Sequence, residues 1–171
     1  MIRVVADDLA SVRADAIVRP ANVRLAAATP PAAQLDRAGG PKFAGAMTLK
    51  RDLPVGAAVV TAGGDLPAEF VIHVVVASEN GDVTRTAVAR AWLSALERAQ
   101  EWQFEHVAAP PVAPASAEMT LADLADTMMA ILHGHRTAGG FPASLSFVVA
   151  SEDERAVFAA ALNRYSQDDV L

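Results

Sequence analysis

Two acidic residues in tandem, Asp7 and Asp8, follow the first apolar run of the chain, and an asparagine, Asn22, stands at the end of the second. A carboxylate offers only acceptors, whereas a carboxamide both donates and accepts. The histidines carry less. His73 lies inside an apolar run with no second ligand at usable spacing, which reads as a core or edge histidine satisfied by hydrogen bonds rather than a metal ligand or a base. His133 and His135 are two apart, so on a helix they point to different faces, and the His-Gly-His stretch reads as a helix C-terminus, where imidazoles favour the dipole. Cysteine is absent, which removes disulfides, thiolate nucleophiles and cysteine-metal sites together. No Ser-His-Asp arrangement and no paired-carboxylate signature is visible; no metal and no cofactor is expected, and no catalytic residue can be named.

The elements that must position these side chains are legible from periodicity. Apolar, β-branched runs at Ile2 to Ala6, Ala16 to Arg19, Gly56 to Thr61, Phe70 to Ala77, His106 to Pro110 and Leu145 to Ala150 predict strands, the middle ones apolar on both faces as strands covered on both sides are. Val83 to Gln103 carries a helical stripe, with Asp82 or Thr84 as its cap. Thr120-Leu121-Ala122-Asp123 starts a helix with Leu121, Leu124 and Met128 on its buried side, expected to end near Gly134, and Ser151-Glu152-Asp153-Glu154 opens the last one. The segment from His135 to Pro142 reads as a plain loop. Strands alternating with long helices predict an α/β sandwich.

With 171 residues, one domain over 1–171 is the expectation. Apolar residues at 53% and charged residues at 20%, with mean hydropathy +0.27, supply a sizeable core and exclude disorder. Acidic residues outnumber basic ones 20 to 14, for a net charge of −6, and no basic run occurs. That excludes nucleic acid and an anionic membrane surface as main partners. Charge interrupts the N-terminus every few residues, and the apolar runs fall far short of the ~18 residues of a membrane helix, so a cytoplasmic protein is expected. Oligomeric state is not legible.

Two segments between strand and helix stand out. One is Ala26-Ala27-Ala28-Thr29-Pro30-Pro31; the other runs from Ala109-Pro110-Pro111 through Ala113-Pro114-Ala115-Ser116-Ala117. In an open α/β sheet both fall at the carboxyl edge, where ligands bind.

Several spaced blocks, in order, resemble macrodomains: Val5-Ala6-Asp7-Asp8-Leu9, then Ala14-Asp15-Ala16-Ile17-Val18-Arg19-Pro20-Ala21-Asn22, then Ala38-Gly39-Gly40-Pro41, then Val55 to Ala68 (VGAAVVTAGGDLPA) followed by Phe70-Val71-Ile72-His73-Val74-Val75. The resemblance covers nearly the whole chain. It implies a three-layer α/β/α sandwich with a mostly parallel mixed sheet and a crevice for ADP-ribose at the strand ends. It implies that Asp8 is the adenine-binding aspartate, with the alternative that Asp8 caps the following turn. Leu9 matches a position whose backbone lies near adenine. Asn22 matches the asparagine that contacts the distal ribose, with the alternative that it stabilises the turn after the strand. Arg19 replaces the family's first asparagine; it either faces a phosphate or is exposed or self-paired.

The two loops that should hold the diphosphate depart from the family. Where the family has glycines, this chain has Ala28-Thr29-Pro30-Pro31-Ala32 and Ala113-Pro114-Ala115-Ser116-Ala117-Glu118. Glycine lets backbone amides close on a phosphate, and proline has no amide proton. Each lost charge-assisted hydrogen bond costs about 1.5–3 kcal/mol of binding. Family hydrolases place an aspartate or a held water near the first loop; here stand Pro31, Ala32 and Ala33, with Gln34 unable to act as a base and Asp36 expected to face solvent or pair with Arg37 or Lys42. The implied function is a divergent module that binds ADP-ribose or a related nucleotide derivative, free or on an ADP-ribosylated protein, weakly or with altered specificity. The alternatives are an ADP-ribosyl or O-acetyl-ADP-ribose hydrolase and a ligand-free scaffold acting as an interaction module.

Overall fold

The six apolar runs form one sheet. The computed structural model describes residues 1–168 and places β1 (Ile2–Ala6), β2 (Ala16–Asn22), β3 (Ala58–Ala62), β4 (Phe70–Ala77), β5 (His106–Ala109) and β6 (Ser144–Val149) in the order β1-β6-β5-β2-β4-β3. All neighbours are parallel except β3, which runs antiparallel to β4 at one edge. The connections are α1 (Pro30–Ala46), α2 (Arg85–Trp102), α3 (Leu121–Thr137) and α4 (Glu152–Asp168), with a single 3-10 turn at Leu9–Ser11.

Strand side chains alternate between faces, so each strand feeds two cores. On one face Trp92 and Leu96 of α2, Met128 and Leu132 of α3 and Phe158 of α4 pack on Val18, Val74, Leu145 and Phe147. On the other, Leu9 and the α1 residues Leu35 and Phe43 pack on Ile17, Val71 and Val148. The result is a three-layer α/β/α sandwich on a mixed sheet. Each such side chain, fully buried, stabilises the fold by about 1.5–3 kcal/mol.

The element boundaries differ from the sequence reading by one or two residues at several ends, as where β3 begins at Ala58 and α2 at Arg85, and by more in three places. β2 continues past Arg19 to Asn22, because Pro20 and Ala21 still pair in register with Val74 and Val75 of β4. α3 passes through Gly134 and ends at Thr137, so the segment from His135 begins as helix rather than loop. A glycine inside a helix costs only about 1 kcal/mol relative to alanine, which the packing of Met128, Met129 and Leu132 outweighs. The prolines at 30 and 31 are not loop residues: they are the first two residues of α1.

α1 is broken at Gly40 (φ +73°), after which Pro41 restarts it. A side chain at Gly40 would run into the Asp65 carboxylate, and one at Gly64 (φ +59°) into the Gly39 carbonyl, which itself accepts from Asp65 N at 2.9 Å. The Gly39-Gly40-Pro41 corner thus docks on the turn between β3 and β4, with both backbones too close for a Cβ.

Between α1 and the sheet lies a buried polar chain. Arg19 is 0% exposed, and its guanidinium binds Asp36 of α1 bidentately (Nε–Oδ1 2.7 Å, Nη2–Oδ2 2.9 Å) while Nη2 also donates to Leu25 O (2.9 Å). Neither the surface position expected of Arg19 nor the solvent or Arg37 and Lys42 pairing expected of Asp36 is realised. α1 crosses β2 and brings the two together from 17 residues apart, while Arg37 and Lys42 are exposed. Arg19 Nη1 lies 3.3 Å from His73 Nδ1. Guanidinium can only donate, so Nδ1 accepts and the ring proton sits on Nε2, which donates to Thr61 Oγ1 (2.7 Å); Thr61 in turn donates to Ala62 O (3.2 Å). His73 is the satisfied core histidine that its apolar strand suggests. Burial, and then the Arg19 charge, push its pKa down to about 3.

Two outcomes test this chain. Asp36→Ala leaves a buried guanidinium without a counter-charge and should cost about 3 kcal/mol of stability by urea unfolding. Between pH 6.5, the ordinary histidine value, and about 3, the unfolded chain binds a proton at His73 that the folded chain refuses. Stability should therefore fall with decreasing pH across that window by up to about 1.4 kcal/mol per unit. Unfolding titrations of His73→Asn in the same window should show a flatter profile.

Candidate functional site

The carboxyl ends of the parallel strands share one edge of the sheet. Asp7 and Asp8 follow β1, Asn22 closes β2, a turn over Ser78–Asp82 follows β4, residues 110–120 follow β5, and Ala150 and Ser151 follow β6. The connections diverge at the middle of the sheet: β2 leads through α1 toward β4, and β5 leads through α3 toward β6. Such a switch point opens a crevice at the strand ends. It falls between the start of α1 and residues 110–120.

Asp8 performs the capping role first. Its Oδ1 accepts from Ala10 N and its Oδ2 from Ser11 Oγ, both at 3.0 Å, at the head of the 3-10 turn. The carboxylate is exposed, and each oxygen keeps a free lone pair, so capping leaves it able to accept from a ligand. Leu9 is buried at 3% exposure; its side chain belongs to the α1-side core.

Asn22 is divided in function. Its Oδ1 accepts from Arg24 N (2.9 Å) and Ala26 N (3.0 Å), which fixes the loop that carries Leu25 at φ +63°. Both carbonyl lone pairs are engaged, so the amide nitrogen alone, without a partner among the described residues, can address a ligand, and only as a donor. Beside it Arg24 pairs with Glu79 and Asp52 on the rim, exposed on all sides.

The start of α1 leaves one backbone amide, Thr29 N, without a partner among the described residues. Pro30 and Pro31 occupy the first two positions, Ala32 N is bound by the Thr29 hydroxyl (3.3 Å), and Ala33 N by the Thr29 carbonyl (3.1 Å). A helix leaves four N–H groups without an intrahelical partner at this end, here those of residues 29–32; two are missing by chemistry and that of Ala32 is engaged, while the Ala33 bond is the first of the helix itself. The sequence carried this signal, since a threonine followed by two prolines is an N-cap followed by residues that suit the first turn.

The second proline-bearing segment is a folded turn. Ala117 N donates to Pro114 O (3.0 Å) and Met119 N to Ala117 O (2.8 Å). Val112 is fully buried, Ala113 and Ala117 pack partly on the core below, and Ala115 and Ser116 are exposed. Ala28 joins the same core from the loop after β2. Thr120 then caps α3 through Asp123 N (3.1 Å). Arg85 and Thr120 hold the exposed Asp123 carboxyl below the usual carboxylate range.

The fold therefore gathers Asp8, Leu9, Asn22, Thr29 to Pro31 and Ala113 to Ala117 along one edge and separates Arg19 and Asp36 from it. His133 packs against Tyr165, and His135 Nε2 meets Phe141 O at 2.9 Å, both at the α3 C-terminus. Among the described residues no three histidine, aspartate or glutamate side chains converge as a metal site, and no helix is long and apolar enough to cross a membrane.

A family model described as "Macro domain" matches residues 18–128. An uncharacterised protein of Aeropyrum pernix is 38% identical over 119 residues, covering 69% of this chain and 63% of that one. One of Mycobacterium tuberculosis is 31% identical over 158 residues, covering 91% and 43%. The chain thus spans less than two thirds of these relatives' length. An O-acetyl-ADP-ribose deacetylase of Citrobacter rodentium is 29% identical over 169 residues, covering 95% and 96%. Among solved structures, the macro domain of ganglioside induced differentiation associated protein 2 superposes with a TM-score of 0.84 at 21% identity, covering 96% of this chain and 83% of that one. A Trypanosoma brucei macrodomain in complex with ADP-ribose gives 0.82 at 19%, covering 94% and 68%.

Asn22→Ala should orphan the Arg24 and Ala26 amides. The expected loss is about 1 kcal/mol of stability, with faster hydrogen exchange confined to the loop after β2.

Proposed function

This chain belongs to the macro domain family, and from that membership and the side chains at its crevice we propose that it is one domain, residues 1–171, that binds ADP-ribose or a related nucleotide derivative with a weakened grip on the diphosphate. The supporting observation is the contrast at the carboxyl edge. Asp8 retains acceptor capacity and Asn22 a donor, at positions that match the family's adenine and ribose contacts, whereas the α1 start keeps a single unengaged amide, Thr29 N, for a phosphate. The proposed ligand is a free nucleotide sugar or an ADP-ribosylated protein, and the proposed location of the protein is the cytoplasm. Thr29, Pro30, Pro31 and the turn from Ala113 to Ala117 would form the walls around the middle of the ligand.

The likeness to the Citrobacter deacetylase over nearly full length favours hydrolysis of an ADP-ribose ester as a second reading. A base for it is not at hand near α1. Ala32 is buried, Gln34 is an amide, and both Asp36 oxygens are bound by Arg19.

Calorimetric titration of ADP-ribose tests the first reading. Two lost charge-assisted bonds, at about 1.4 kcal/mol per tenfold, move a micromolar site toward the millimolar range, so saturable binding at about 0.1–1 mM is expected. Asp8→Ala should abolish it, with unfolding measured alongside because Asp8 also caps the 3-10 turn. Absence of heat at millimolar ligand would leave an interaction scaffold. Release of free ADP-ribose from a modified protein, or of acetate from O-acetyl-ADP-ribose, would establish the enzyme reading instead.

A further inference from the structure

The opposite edge of the sheet carries a second cluster of polar side chains, outside anything the crevice uses. Arg3 of β1, His106 of β5 and Ser144 and Ser146 of β6 stand at the amino ends of their strands, with Arg3 in register with Ser146 and His106 with Ser144. They line a cavity of about 230 Å³, completed by Met1 and Leu145, whose walls include no carboxylate. That is smaller than the roughly 300–1,000 Å³ of sites for whole cofactors, and it suits one small group.

The hydrogen bonds tie this wall together. Arg3 Nε donates to Ser146 Oγ (2.7 Å), and the same oxygen lies 2.9 Å from His106 Nε2. The hydroxyl keeps a second lone pair and its own proton, so the contact with Nε2 suits either tautomer of His106, the hydroxyl donating to the ring or accepting from it. Neither Nδ1 nor the two terminal nitrogens of Arg3 has a partner among the described residues, and no carboxylate among them pairs with the guanidinium. Ser146 is 1% exposed, so it serves as a fixed post between the two cationic or protonatable groups. An unpaired guanidinium fork on an otherwise acidic protein (net charge −6) is a bidentate receptor for a planar or tetrahedral oxyanion.

We propose that Arg3, His106, Ser144 and Ser146 form a binding site for a single oxyanion group, carboxylate or phosphate, at the amino edge of the sheet. It lies one strand length, roughly 20 Å, from the nucleotide crevice. The site is independent of ADP-ribose binding, and failure of either reading leaves the other standing. The charged groups around His106 are Arg3 from β1 and Glu105, Arg13 and Asp15 from the loops ahead of β5 and β2; Asp15 Oδ2 accepts from His106 N (2.9 Å). Burial, and then Arg3, lower the His106 pKa, with Asp15 opposing them. An anion seated between Arg3 and the ring would cancel the Arg3 field, and the imidazole would then protonate at higher pH.

The test follows the His106 ring by NMR across the imidazole titration range in the full chain, at constant ionic strength, in chloride, in phosphate and in acetate. A rise of its midpoint by about half a unit or more in phosphate or acetate relative to chloride is expected, and Arg3→Gln should remove it. A rise in phosphate alone assigns the site to phosphate, in acetate alone to carboxylate, and in both to either source. An unchanged midpoint in both anions overturns the proposal, as does a rise that survives in Arg3→Gln. Should Arg3→Gln fail to fold, Arg3→Lys keeps the charge without the fork, and an undiminished rise in that variant overturns the proposal equally.

Discussion

A guanidinium with no exposure to water, Arg19, is the constraint around which the α1 side of this protein is arranged. It has five N–H donors and no acceptor, and each donor left unpaired in a low-dielectric interior is costly. Its partners come from four places: Asp36 of α1, the Leu25 carbonyl of the loop after β2, His73 of β4 and, through His73, Thr61 of β3. Satisfying one side chain therefore sets the height of α1 over the sheet, the path of the loop that Asn22 closes, and the tautomer of a buried imidazole. Phe43 lies over the His73 ring at 5.8 Å and covers the network with apolar surface.

That arrangement explains the state of the nearby crevice. Asp36, an acidic side chain on the helix that borders the site, is bound by Arg19 on both oxygens, so α1 carries a carboxylate in sequence that is engaged in structure. The α1 start, less than two turns away, is largely closed by its own residues. Thr29, Pro30 and Pro31 make it a well-capped helix and, for the same reason, a poor anion receptor, because a cap satisfies the amides that a phosphate would otherwise approach. Stability of the helix and affinity for a phosphate compete here for the same few N–H groups.

Most of the fold was legible because its signals are local. Apolar runs marked all six strands, threonines marked the starts of α2 and α3, and His73 declared itself as a core residue by the apolar run around it. Boundaries shifted where tertiary pairing outweighed composition, as when β4 drew Pro20 and Ala21 into β2. What stayed hidden was the pairing of Arg19 with Asp36, since no period or spacing links a strand residue to one on a helix of the neighbouring layer. For the crevice, residue types were readable and their engagement was not. Asp8 and Asn22 each came with two readings, turn or ligand, and the geometry assigns part of the side chain to the turn in both and leaves the remainder open.

Capped amides at the α1 start also bear on how the crevice would respond to its medium. Ordinary receptors for a diphosphate draw on Coulombic attraction, and their complexes loosen as electrolyte is added. Here recognition would rest on short-range contacts to a base and a sugar, which mobile ions scarcely screen. Brine and dilute buffer would then leave occupancy nearly the same, and nucleosides stripped of phosphate would compete on almost equal terms with the intact nucleotide.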